Sequence, residues 1–144
     1  MKVEQVMTKN VIWVGENEPA SVAARSLAQY NLGVLPVRGK NGGICGMVTD
    51  RDLVIRCMAA GLNPDTTPVK KIMTRQLLSV TPSMEAESAG CLMGLKGIRR
   101  LPVMEEGKLC GILSLGDLAE NPETAEMAGQ ALGGISSKLT DEIR

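Results

Sequence analysis

One internal repeat constrains this chain more than any other feature. The stretch GMVTDRDLV, Gly46 to Val54, returns as GILSLGDLA, Gly111 to Ala119, 65 positions later: glycine, two apolar residues, a hydroxyl, two residues and an aspartate. The similarity starts earlier, since VEQVMTKNVIWV (Val3 to Val14) lies over VKKIMTRQLLSV (Val69 to Val80). Leu35-Pro36-Val37 recurs as Leu101-Pro102-Val103, and Cys45-Gly46 as Cys110-Gly111. Two copies are too few for a solenoid, which needs three or more. A unit of about 65 residues is marginal alone, so the two are expected to fold against each other.

Periodicity gives each unit a coarse order. Val11 to Val14 is a short apolar run, and the acidic, turn-like GENEP that follows suits the first turn of a helix. Val22, Ala23, Leu27 and Ala28 then share one helical face, with Gly33 as terminator. Val34 to Val37 reads as a strand, RGKNGG as a hairpin loop and Ile44 to Val48 as the antiparallel partner, after which Thr49 opens a second helix. The second copy repeats this with Leu77 to Val80, a helix near Met84 to Lys96, Leu101 to Val103, Leu109 to Leu113 and a short helix from Leu115 that Asn121-Pro122 ends. The predicted organisation is one unit over 1–62, a turn-rich linker over 63–68, a second unit over 69–120 and a tail over 121–144. In the tail a helix over Ala125 to Leu132 is expected to break at Gly133-Gly134.

Composition narrows the function. With no Phe, one Trp (Trp13), one Tyr (Tyr30) and nine Met, the core must be aliphatic and sulfurous, and aromatic platforms for stacking bases are missing. Lys plus Arg and Asp plus Glu number 16 each, so no overall positive field gathers nucleic acid or an anionic membrane. No run approaches the roughly 20 apolar residues that cross a bilayer, and a cytoplasmic location is expected. The chain has no histidine, and Cys45, Cys57, Cys91 and Cys110 show no C-x-x-C spacing, so the common zinc-site layouts and histidine-dependent triads are excluded and the thiols read as buried small hydrophobes. GKNGG, Gly39 to Gly43, lacks the G-K-[ST] ending of a P-loop and reads as a tight turn. No paired acid and base or activated nucleophile is visible, so no enzyme is expected.

Thr49 with Asp52, and Ser114 with Asp117, support two readings. In one, the hydroxyl caps a helix and the carboxylate closes a capping box, worth about 1 kcal/mol. In the other, the free N–H groups and dipole of the helix start attract a phosphate, the hydroxyl donates to it, and the carboxylate turns to the neutral hydroxyls of a ribose.

The doubled M-T, L-P-V and G-h-h-[ST]-x-x-D patterns, in register and in the same order over Met1 to Glu120, resemble tandem CBS domains that pair into a Bateman module, here of the small stand-alone bacterial kind. The resemblance implies a mixed α+β fold of two βαββα units related by a pseudo-twofold axis, with two clefts for adenosyl ligands. One cleft would use Ser114 and Asp117 with backbone around Ile12, Leu32 and Gly33. The other would use Thr49 and Asp52 with Leu78, Ile98 and Arg99. Arg100 matches a position from which family members reach phosphate, and its counterpart is Val34, so the Ser114/Asp117 cleft is favoured for a charged nucleotide. Arg51 either compensates at the other cleft or is a solvated surface residue, and Arg99 and Arg100 carry the same alternative.

The implied function is regulatory: AMP, ADP, ATP or S-adenosylmethionine bridges the units and biases their arrangement, with no cofactor required. The alternative is a ligand-free interaction or dimerisation module. LVIRCMAA, Leu53 to Ala60, is apolar except at Arg56, which argues for a homodimer that covers it or else for partial exposure. The tail serves as a dimer arm or cover, or frays. A protein target is a further expected partner, with no nucleic acid and no membrane.

Overall fold

The computed structural model describes residues 1–75 and 78–143, and side chains within the last helix through Ser137. In chain order the elements are α1 (Val3–Val6), β1 (Val14–Gly15), α2 (Ala20–Tyr30), β2 (Val34–Arg38) and β3 (Ile44–Thr49). A helix then opens as α3 (Asp50–Asp52) and widens to π-helical turns over Leu53–Met58, and a 3-10 turn spans Val69–Lys71. The second half gives α4 (Ala86–Lys96), β4 (Arg100–Glu105), β5 (Lys108–Ser114), α5 (Leu115–Glu120) and α6 (Ala125–Ile143). The class is mixed α and β, as the sequence led us to expect.

Compactness divides the chain into two units: Val11–Leu77, and Met1–Asn10 together with Leu78–Arg144. The repeat boundaries mark where the letters recur; the compact units are cut about ten residues further along, because each M-T segment packs against a hairpin, at Met47 for Thr74, 27 residues before it, and at Ile112 for Thr8, 104 residues after it. In one unit Met47 and Thr74 exchange backbone hydrogen bonds of 2.9 and 2.8 Å; in the other Thr8 and Ile112 exchange bonds of 2.9 and 3.0 Å. This close approach explains the repeated C-G. A Cβ on Gly46 would lie 2.8 Å from the Thr74 carbonyl oxygen, and one on Gly111 would lie 2.5 Å from that of Thr8. Only glycine admits the crossing segment.

In the unit Val11–Leu77, β1 runs parallel to β2 (Val14↔Val37, Gly15↔Arg38), and β2 pairs antiparallel with β3 (Val34↔Thr49, Leu35↔Val48). In the other, β4 and β5 form the hairpin (Arg100↔Ser114, Leu101↔Leu113), and Val80 alone bridges to Val103. The first strand of each unit is therefore shorter than Val11–Val14 and Leu77–Val80 suggested; Leu77 itself lies outside the described residues. The next ladder position on the partner strand is Pro36 or Pro102, which has no N–H to donate. Both hairpins carry a register shift at the same place, between Val37 and Arg38 and between Val103 and Met104.

Several other expectations need correction. α2 ends at Asn31, whose φ of 53° is left-handed, not at Gly33; the Leu32 N–H then reaches back to the Leu27 carbonyl at 2.9 Å. Asparagine tolerates that backbone region, and Gly97 fills the equivalent role after α4. The segment after Asp52 is helical but π-wound, with the Ala59 N–H donating to Val54 five residues back. Cys91 is exposed, unlike buried Cys57 and half-buried Cys45 and Cys110, because it follows Gly90 onto the outer side of α4. Finally, α6 does not break at Gly133-Gly134. A Cβ on Gly134 would sit 2.8 Å from the Gly94 carbonyl oxygen, so this glycine serves a close helix crossing rather than a stop.

Each unit has its own core. Val14, Ala23, Leu35, Val48 and Ile72 are buried in one, and Val3, Met93, Leu101, Leu113 and Ile135 in the other. Both cores are aliphatic and sulfurous, as the absence of Phe requires.

Candidate functional site

Both hydroxyl and carboxylate pairs form complete capping boxes. The Asp52 N–H donates to Thr49 Oγ1 at 3.0 Å, and the Thr49 N–H donates to Asp52 Oδ2 at 3.0 Å. The Asp117 N–H donates to Ser114 Oγ at 3.0 Å, and the Ser114 N–H to Asp117 Oδ2 at 2.9 Å. The cap and the phosphate grip are compatible, because the cap uses a lone pair of the hydroxyl and leaves its O–H to donate elsewhere.

A third residue joins each pair, and the sequence argument assigned it no role. Thr74 Oγ1 donates to both carboxylate oxygens of Asp52 at 3.3 Å, and Thr8 Oγ1 to those of Asp117 at 3.3 and 3.5 Å. The signal was available: M-T stands at the same place in both repeats, and the threonines reach the aspartates because their segments cross beside Gly46 and Gly111. These hydroxyls hold the carboxylates toward one side of the hairpin end.

Beyond the threonine the two sites differ. Asp52 is 7% exposed, and Arg56, one helical turn on, lies with Nε 3.7 Å from its Oδ1 and donates from Nη1 to the Met73 carbonyl at 2.9 Å. Asp117 is half-buried, and the repeat puts Asn121 where Arg56 stands. Asp117 therefore keeps Oδ1 available to a further donor, while that of Asp52 already faces a cation.

The remaining expected site residues are placed unit by unit. Val34 lies opposite Thr49 in the β2–β3 ladder, and the Gly33 carbonyl accepts from the Asp50 N–H at 3.3 Å, which brings exposed Leu32 and half-buried Gly33 beside Thr49, Asp52 and exposed Arg51. Ile12 packs on the core of the same unit. In the other unit half-buried Arg100 lies directly opposite Ser114, and the carbonyl of exposed Arg99 accepts from the Leu115 N–H at 2.8 Å. Leu78 and Ile98 pack on that unit's core. The structure thus puts Arg100 with Ser114 and Asp117 at one hairpin end, and valine in the equivalent place beside Thr49.

Among the described residues, no group of three or more His, Cys, Asp or Glu is arranged to hold a metal, and no helix is long and apolar enough to cross a membrane. The Cys45 thiol is pushed up from its ordinary value by burial and by the Glu16 carboxylate 3.5 Å away, so it is not a poised nucleophile. Arg38 stacks on Trp13 at 4.4 Å from the ring centroid, beside the same hairpin.

Two hairpin-and-helix units, each with a hydroxyl and aspartate box at the hairpin end, match the pattern of a single pair of CBS domains. A family model for the CBS domain matches residues 3–58 and again 69–123, and the chain belongs to that family. It is 42% identical over 134 residues, 93% of this chain and 94% of the relative, to the CBS domain-containing protein YhcV of Bacillus subtilis. A crystal structure of hypoxic response protein I with two coordinated zinc ions matches at a TM-score of 0.76 and 32% identity, over 85% of this chain and all of that one. The CBS domain protein PAE2072 of Pyrobaculum aerophilum, complexed with AMP, matches at a TM-score of 0.80 over 90% of this chain and 98% of that one; at 20% identity it shows the shared fold. The family is a regulatory module, not an enzyme class.

Proposed function

We propose that the chain is a regulatory CBS pair that binds an adenosyl ligand, among AMP, ADP, ATP and S-adenosylmethionine, and reports it through a conformational or dimer change to a protein target. Ser114, Asp117 and Arg100 form the principal polar set: Arg100 and the Ser114 hydroxyl for phosphate, Asp117 for the ribose hydroxyls. Thr49, Asp52 and Arg51 form the lesser set, and Ile12, Leu32, Gly33, Leu78, Ile98 and Arg99 supply backbone and apolar contacts to the base. The AMP carried by PAE2072 supports the ligand class. The observation that carries the ranking is local: Arg56 lies 3.7 Å from Asp52, whereas the repeat gives Asp117 an asparagine in that place. The working form is a homodimer in the cytoplasm.

Thermal unfolding with each ligand tests this reading. A ligand at 100 times its Kd adds about 2.7 kcal/mol, a shift of roughly 5 to 10 °C for a chain of this size. Asp117→Asn should abolish the shift and Asp52→Asn should leave most of it. A shift lost only in Asp52→Asn reverses the ranking, and no shift with any of the four ligands makes the chain a ligand-free interaction module.

A further inference from the structure

The capping boxes do not account for one contact that both repeats make. In each box the hydroxyl and the carboxylate satisfy backbone N–H groups within their own turn, and neither bond involves the threonine of the M-T segment. Yet Thr8 reaches Asp117 across 109 positions, at 3.3 Å from Oδ1 and 3.5 Å from Oδ2, and Thr74 reaches Asp52 across 22, at 3.3 Å from both oxygens. Two segments from different parts of the chain bring the same hydroxyl to the same carboxylate. The helix start is complete without it, so the contact bears on what the carboxylate does away from the helix.

An aspartate carboxyl turns about a torsion that has no sharp staggered wells. By itself the Ser114 N–H, 2.9 Å from Oδ2, would leave the plane of the Asp117 carboxyl free to rock. Thr8 adds an anchor that lies nearly equidistant from the two oxygens. That anchor is firmly held, because the Thr8 backbone exchanges bonds of 2.9 and 3.0 Å with Ile112, two residues before Ser114 on β5. Donor and cap thus hang on one strand. An ionised carboxylate accepts at about four lone-pair sites. The Ser114 N–H and the Thr8 hydroxyl take two and leave at most two, which is the number of donors on the vicinal 2′- and 3′-hydroxyls of a ribose.

We infer that Thr8 is a positioning residue for the sugar: it sets the plane of Asp117 so that both ribose hydroxyls find an acceptor, and so makes the site select ribonucleotides over 2′-deoxyribonucleotides. The inference rests on the ligand reading above and adds to it the residue that decides the sugar. At the other site Arg56 lies 3.7 Å from Asp52 Oδ1, so Thr74 shares that carboxylate with a cation and the same selection is weaker there. Thr8 itself is exposed, and valine has the shape of threonine without the hydroxyl, so Thr8→Val removes the contact without opening the core.

Isothermal titration calorimetry of the full chain with AMP and with 2′-deoxyAMP tests the assignment. The wild type should prefer AMP by at least about tenfold, as a hydrogen bond to a charged group provides. Thr8→Val should weaken AMP about three- to tenfold and 2′-deoxyAMP by less than about twofold, so that the preference narrows. Thr8→Ser, which returns the hydroxyl, should recover the preference. Equal weakening of both nucleotides would make Thr8 part of the scaffold only and overturn the inference. An AMP affinity unchanged in Thr8→Val would do the same, as would one that rises, since a hydroxyl that competes with the sugar does not position its acceptor. A wild type that does not bind AMP overturns the inference, and the functional reading falls with it only when ADP, ATP and S-adenosylmethionine fail as well.

Discussion

Asp52 and Asp117 occupy the same place in a duplicated motif and have acquired different neighbours. Each closes a capping box, and each accepts a hydrogen bond from the threonine of an M-T segment. Asp52 has Arg56 beside it; in the other unit Arg100 stands across the ladder from Ser114, where the first repeat has Val34. The helical faces diverge likewise, one covered by α6 and the other open. Duplication preserved what folds each unit, namely the hairpin, the cap and the crossing segment. The differences lie at the edges, where a cation or a helix changes what a site can accept without altering the core.

The largest expected effect concerns the feature the units share most closely. Gly111→Ala brings a Cβ to within 2.5 Å of a backbone oxygen, and Gly46→Ala to within 2.8 Å. Backbone paired on both sides cannot swing away, so the strain must displace the crossing segment and its threonine. We expect Gly111→Ala to cost about 3 kcal/mol and Gly46→Ala about half of that, read from urea denaturation midpoints. Equal costs would show that the two crossings are equally tight, and negligible costs would mean that the C-G pair is not there for the crossing at all.

The covered face yields a smaller contrast, with opposite signs at adjacent positions. Nothing lies within 4 Å of a Cβ at Gly133, while one at Gly134 would meet the α4 backbone at 2.8 Å. Helix propensity alone favours alanine at both by about 1 kcal/mol. Gly133→Ala should therefore raise stability by up to that amount, and Gly134→Ala should lower it by about 1 to 2 kcal/mol as α6 is pushed off α4. If both substitutions stabilise, α6 does not cross α4 as closely as described, and the contrast between a covered and an open face weakens.

These cases also show what the residues reveal unaided. The order of strands and helices, the two caps and the hairpin loop follow from short-range periodicity and turn chemistry, and the structure has them. Gly133-Gly134 reads locally as a helix breaker because its true partner, Gly94, is some 40 positions away and glycine's two uses look alike in a window. The pairing of Thr8 with Asp117 spans more than 100 positions. The repeat exposed M-T as a constant without saying what it touched. The π-helical winding after Asp52 has no local signature: LVIRCM reads as an ordinary apolar helix, and the extra residue per turn is visible only in the hydrogen bonds.

The smallest effect separates the two units by pH. Lys2 bridges to Glu85 in the lead-in of one unit, with its ammonium 2.7 Å from the carboxylate, whereas the equivalent bridge in the other joins Pro19 and Pro68. The hydrogen bond from Lys2 holds the Glu85 carboxyl below its ordinary value of 4.5. A depressed value in the folded state means that the native chain binds fewer protons than the unfolded one, so the contribution is present above pH 4.5 and fades as pH falls through the folded value. Both partners are exposed, which keeps the effect at the weak end of ion pairs. An NMR titration should find the Glu85 midpoint below 4.5 in the wild type and higher in Lys2→Met, still short of that value because the Met1 ammonium remains 3.4 Å from the carboxylate. Urea midpoints of wild type and Glu85→Gln, slightly apart at neutral pH, should converge by about pH 3. A separation that persists there would put the role of Glu85 in its backbone bridge to Lys2 and leave the two lead-ins chemically equivalent.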